Sequence, residues 1–302
     1  MKKYIIVLVL AIFIGCKQEV KKNGKLQVVT TTTMITDLVK NIVGTKMDVQ
    51  GLMGAGVDPH LYKASEGDVS KLFNADVIVY NGLHLEGKLE DVFEKMRHQN
   101  KKTIAVSDAI DKSTLIGSEY FASNYDPHIW FDITNWEIIT KYVVAQLSEL
   151  DAKNAISYKE NGVKYLASLA SLKITIAEQI NSLPVEKRIL VTAHDAFNYF
   201  GKAFQFNVVG LQGLSTATEA GVKDVQKMAK FIEEHEVKAI FVESSVPKRT
   251  VEALQEAVKA KDKEVVIGGT LYSDALGSAG TEEGTYIGMY THNVKTIVDS
   301  LK

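Results

Sequence analysis

The chain has 302 residues, 46% of them hydrophobic and 24% charged, with a formal net charge of −2, four prolines and a single cysteine. That balance offers no basic footprint for nucleic acid, and one thiol excludes an intramolecular disulfide framework. The length, at ordinary apolar content, suits one large domain or two of typical size.

The chain begins "MKKYIIVLVLAIFIGC", in which Lys2 and Lys3 form a positive start and Ile5 to Ile14 a short apolar core. Such a core is too short to span a bilayer comfortably and reads as an export signal, residues 1–16. Gly15-Cys16 matches the small-residue-then-cysteine ending of a bacterial lipoprotein signal, although Phe13 stands where leucine is usual. Cys16 is therefore the expected lipidation site, where each buried acyl methylene would add about 0.8 kcal/mol of membrane attachment. Residues 17–24 are polar and read as a tether. Loss of the signal leaves 33 basic against 37 acidic residues, a net charge of −4.

Next come short β-branched runs at 26–32, 47–53, 75–82 and 102–108, and a second set at 188–194, 206–213, 238–245 and 264–272. Near-continuous apolar runs separated by helix-length segments predict buried parallel strands with crossover helices. Four in each half give an α/β fold of two similar lobes, residues 25–150 and 185–302, each with a parallel four-stranded sheet. Between them, residues 151–184 predict one long joining helix. Tyr158, Tyr165, Leu166, Leu169, Leu172, Ile176, Ile180 and Leu183 recur at three- and four-residue spacing along it. Asp151 is the expected N-cap and Pro184 the stop, giving a rod of about 45–50 Å. Gly162 stands out as its weak point, at a cost of about 1 kcal/mol relative to alanine. A rod of this kind would restrict the motion of one lobe against the other.

Two of the four prolines precede histidines, in Asp58-Pro59-His60 and Asp126-Pro127-His128. Proline fixes its own φ and restricts the residue before it, so each imidazole is presented from a stiff turn. Asp58 and Asp126 could bond the turn backbone or orient the imidazole as outer partners of a metal site. His194 ends a strand run, where ligands gather in α/β sheets, and Asp274 follows another in a loop rich in glycine and serine. These four residues are 68, 66 and 80 positions apart, and no sequence-local metal motif exists, so spacing alone carries little. Two ligands from each lobe would put a metal in the cleft between them.

Taken together, "VDPHLYKAS", "YDPHIWFD", "VTAHDAFNYFG", "FVESSVPKRT" and "GGTLYSDALG" closely resemble the metal-binding solute receptors of zinc and manganese ABC importers, the cluster A-I solute-binding lipoproteins. The resemblance runs from about Lys25 to the C-terminus, and the "TTTMITDLV" segment fits it. It implies two lobes bridged by one helix, a Zn²⁺ or Mn²⁺ ion bound as cargo by His60, His128, His194 and Asp274, and delivery to an ABC permease. A monomer, lipid-anchored on the extracytoplasmic side of a membrane, is the expected state. Three neutral imidazoles and one carboxylate can close a shell around Zn²⁺ with no position left for water. Glu243 is the candidate for a further acid behind the ligands, the alternative being a strand-end partner of Arg249 or Lys248. Some members of the family carry a carboxylate where this chain has His194, and those are typically manganese receptors. Nitrogen donors lean toward zinc, yet members with three histidines and an aspartate also handle manganese, and the absence of a histidine-rich loop moderates the zinc preference. Competing readings are a metallohydrolase, with three ligands, a water and Glu243 or Asp195 as base, and a surface adhesin. Because coordinating imidazoles must be neutral, affinity is expected to fall as pH drops through about 6.5.

Overall fold

The computed structural model describes residues 24–302, so the signal segment, Cys16 and most of the tether lie outside the described residues. Strands β1 (Gln27–Thr30), β2 (Asp48–Gly51), β3 (Val77–Tyr80) and β4 (Lys102–Ala105) form a parallel sheet in the order β2-β1-β3-β4. Strands β5 (Ile189–His194), β6 (Asn207–Gln212), β7 (Ala239–Glu243) and β8 (Val266–Leu271) form a second with the corresponding order, β6-β5-β7-β8. Every predicted strand run holds a strand, and all pairs are parallel. Both lobes thus repeat one topology without repeating a sequence.

The first lobe carries α1 (Thr33–Val43), α2 (Glu66–Asn74), α3 (Glu90–His98) and α4 (Ile133–Leu150); the second carries α6 (Asn198–Phe204), α7 (Val222–Glu234), α8 (Arg249–Lys259) and α9 (Tyr286–Leu301). Among the described residues no helix is long and apolar enough to cross a membrane. Local signals set several starts. Ser65 and Asp68 close a capping box on α2, and the Asp132 side chain accepts from Thr134 N at the head of α4.

Helix α5 (Ala155–Asn181) is the predicted rod, with 27 residues and a length of about 40 Å. It starts later than expected because Asp151 does not cap it. That carboxylate instead accepts from Asn154 Nδ2 at 2.8 Å and the Tyr158 hydroxyl at 2.6 Å, while residues 152–154 make a separate tight turn. Helix geometry also ends before Pro184, at Asn181. The apolar stripe buries as a face, with Leu166 half-buried and Leu183 buried just past the helix end.

Gly162 is a requirement of packing more than a weak point. A Cβ there would lie 2.6 Å from Val144 Cγ2 on α4, and valine cannot swing aside cheaply. Gly162→Ala is therefore expected to lower stability by up to about 2 kcal/mol in urea unfolding, overpacking outweighing the roughly 1 kcal/mol helix gain. Adding Val144→Ala should restore it; a Gly162→Ala protein more stable than the parent would contradict this reading.

Solvent-free polar bonds fasten one lobe to the other. Trp130 Nε1 donates to the Ser273 carbonyl at 3.0 Å, and the Tyr286 and Tyr290 hydroxyls donate to the Trp130 and Phe131 carbonyls, both at 2.7 Å. Trp136 lies deeper: it stacks on Tyr286 with ring centroids 4.9 Å apart and donates to the Tyr165 hydroxyl. It belongs to the core between α4, α5 and α9.

Candidate metal centre

The cleft lies where the carboxyl ends of the two sheets face each other, the position where open α/β sheets hold ligands. Both Asp-Pro-His segments fold into the same local turn. Asp58 Oδ1 accepts from His60 N at 2.8 Å, and Asp126 Oδ1 accepts from His128 N at 2.9 Å. Each aspartate caps its own turn two residues on while proline holds the backbone between them.

Beyond the turn, the two aspartates differ. Asp126 Oδ1 also lies 2.7 Å from His128 Nδ1, which fixes that ring with Nδ1 as donor and leaves the Nε2 lone pair free. Both also reach the second lobe: Asp58 Oδ2 accepts from the Thr216 hydroxyl at 2.5 Å and Asp126 Oδ2 from Asn198 Nδ2 at 3.1 Å. In the second lobe His194 ends β5, and Glu243 ends the adjacent β7. Glu243 accepts from His194 N at 2.8 Å through Oε1 and pairs with Nδ1 at 2.5 Å through Oε2. The cations that could have claimed Glu243 are engaged elsewhere, Arg249 with Glu219 and Lys248 with Glu252. Gly210 on β6 permits the close approach behind this histidine, since a Cβ there would sit 2.5 Å from Asp195 N.

His60, His128, His194 and Asp274 come together, each offering one ligand atom, with all four atoms inside 4.8 Å of one another. His60 Nε2 lies 3.3 Å from His128 Nε2 and 3.8 Å from Asp274 Oδ2; His128 Nε2 is 3.6 Å from Asp274 Oδ1, and His194 Nε2 is 3.2 Å from Asp274 Oδ2. A tetrahedral shell with metal–nitrogen bonds of about 2.0–2.1 Å has edges of about 3.3–3.4 Å, so the spacing fits a first-row dication. His194 Nε2 and both Asp274 oxygens are buried without a hydrogen-bond partner. Buried polar atoms rarely stay unpaired, and here the unpaired ones face a common point.

Charge follows the same geometry. Burial alone would raise the Asp274 carboxyl, but the three histidines outweigh it and hold its pKa well below the usual carboxylate range. His60 is pushed down to about 3, first by burial. His194 goes the other way: burial opposes its charged form, yet Glu243 and Asp274 together lift it well above 6.5. Without metal, Glu243 and Asp274 thus favour the charged form of His194.

Trp130 both flanks the cluster and ties the lobes together. Its ring stands edge-on to His128 at 5.3 Å while its indole holds the residue before Asp274. Thr216 and Phe121, which touch Asp58 and His60, carried no signal in the sequence. Of the remaining histidines, His84 pairs with Glu90 at 2.5 Å, His98 and His235 lie on the surface, and His292 pairs with Glu283 at 3.8 Å.

Two α/β lobes on one helical rod, with a sealed cluster of three imidazoles and a carboxylate between them, define a metal-binding solute receptor. A family profile described as ZnuA, zinc-uptake complex component A, periplasmic, matches residues 28–300, and the chain belongs to that family. It is 49% identical over 279 residues to the zinc-binding protein TroA of Treponema pallidum, covering 92% of this chain and 90% of that one. It is 47% identical over 278 residues to the manganese-binding lipoprotein MntA of Bacillus subtilis, with the same coverage. The solved structure of the periplasmic zinc-binding protein TroA superposes with a TM-score of 0.89, covering 92% of this chain and 99% of that one.

Glu243→Gln is expected to weaken metal binding by about 10–100-fold, the usual cost of losing the partner that orients a ligating histidine. Titration calorimetry giving an unchanged dissociation constant would show that His194 needs no such support.

Proposed function

We propose that this chain is an extracytoplasmic receptor that captures Zn²⁺ or Mn²⁺ between its lobes and delivers it to an ABC permease, with His60, His128, His194 and Asp274 as the ligands. The observation that carries this is the convergence of three Nε2 atoms and an unpaired carboxylate in a site shut off from solvent. Glu243 and Asp126 support two of the imidazoles through Nδ1, and Asp58 stiffens the turn that carries His60. A hydrolase would need a coordination position for water and a free base, but four donors fill a tetrahedron and both Glu243 oxygens are committed to His194. Zinc is the tighter ligand in vitro, following the general affinity order at nitrogen and oxygen sites. The cargo in the cell is whichever of the two the organism makes available.

Cys16 as a lipid anchor, a tether through residues 17–24 and a monomeric state complete the proposal. Elemental analysis of protein purified without added metal from its own host tests the cargo; protein with neither zinc nor manganese near one equivalent would refute it. Mass spectrometry of the N-terminal peptide tests acylation of Cys16.

A further inference from the structure

The four converging side chains are not equally sealed. His128, His194 and Asp274 have at most 1% exposure, whereas His60 keeps 5%. Phe121 lies edge-on to His60, with ring centroids 6.3 Å apart. The same Phe121 lines a cavity of about 480 Å³ between the first lobe's 118–121 loop and the ends of β5 and β6. Phe121 thus borders both that cavity and the least buried member of the cluster.

Its walls suit a cation. Gln212 is the cross-strand neighbour of His194 in the β5–β6 register, is only 6% exposed, lines the cavity, and has an Oε1 without a hydrogen-bond partner. Asp195, Glu219 and Asp224 also line it, with no lysine or arginine among the lining residues. Arg249 engages Glu219, and Asp224 accepts from Gly221 N. Asp195 and Gln212, both next to His194, are the oxygen donors on the cluster's side, Asp195 also bonding Asn198. An ion with six waters takes up on the order of 200 Å³, which the cavity accommodates.

We propose that this cavity is a waiting site for a hydrated divalent cation, held through its water shell by Asp195 and Gln212, with Phe121 as the door between it and His60. The inference rests on the four-residue cluster being the cargo site. A station on the path lowers the barrier from both directions, so it changes rates without changing the equilibrium. Neither Asp195 nor Gln212 is needed as a ligand of the bound ion.

Stopped-flow mixing of the metal-free protein with Mn²⁺, read by Trp130 fluorescence, tests this. Gln212→Leu should slow association and dissociation by the same factor, about three- to tenfold, leaving Kd within about twofold of the parent. Asp195→Asn should slow association and flatten its dependence on ionic strength. Phe121→Ala should speed both rates. Gln212→Leu with parental rates, or with an altered Kd and parental association, would overturn the waiting site alone. A parent that binds neither Mn²⁺ nor Zn²⁺ would overturn the cargo assignment and this inference with it.

Discussion

Asp274→Ala should weaken metal binding by well over 100-fold, beyond the roughly 10–100-fold cost of losing an outer partner. Asp274 supplies the one formal negative charge among the four converging side chains, and its oxygens have no other bond to make. Without it, three neutral imidazoles face a dication in a site that excludes solvent. At a thousandfold excess of metal over Kd, the parent gains about 4 kcal/mol by mass action, an increase in Tm on the order of 8 °C for a chain of this size. Asp274→Ala should lose most of that gap, as should His194→Ala, while Asp274→Asn separates charge from shape. An undiminished difference between metal-free and metal-loaded melting in Asp274→Ala would remove Asp274 from the ligand set and reopen the hydrolase reading.

The second large effect is on pH. His60 is already neutral well below pH 6, because burial holds its pKa near 3. His194 is not: Glu243 and Asp274 overcome burial and keep it protonated above 6.5. Its Nε2 must shed that proton to coordinate, while Nδ1–H stays with Glu243. Binding should therefore release a proton from His194, and affinity should keep rising with pH above the 6.5 expected from an ordinary imidazole. The metal-free fold has the opposite trend. A raised His194 contributes stability that is fully present below 6.5 and fades as pH rises through its folded value; a depressed Asp274 contributes stability that is present above about 4 and lost in acid. The stabilisation gained on loading should thus widen from about pH 6 to 8. Calorimetry in buffers of different ionisation enthalpy counts the proton, and a count near zero with flat affinity across that range would refute the imidazolium.

How much of this the sequence disclosed depends on distance along the chain. Strands were legible because a buried parallel strand is a short β-branched run, a purely local signal. The stiff turns at His60 and His128 were legible for the same reason, since aspartate, proline and histidine are adjacent. The role of Glu243 stayed open because its partner His194 is 49 residues away, and cations at Lys248 and Arg249 were nearer at hand. Asp58 and Asp126 read alike in sequence, and both find a partner in the second lobe, but only Asp126 also holds the ring of its own histidine. Gly162 was misjudged because its reason for being glycine, the Val144 side chain, sits on a neighbouring helix.

The ties from Trp130, Tyr286 and Tyr290 also bear on the traffic of receptors. Bonds of this kind, buried at the base of the cleft, are expected to keep the halves in nearly one arrangement whether or not an ion is present. Loaded and empty molecules would then share almost the same silhouette, and a transporter that grips the outline would accept either. Idle copies become competitors for the docking seat, so overproducing the receptor when its cargo is scarce should slow uptake instead of speeding it.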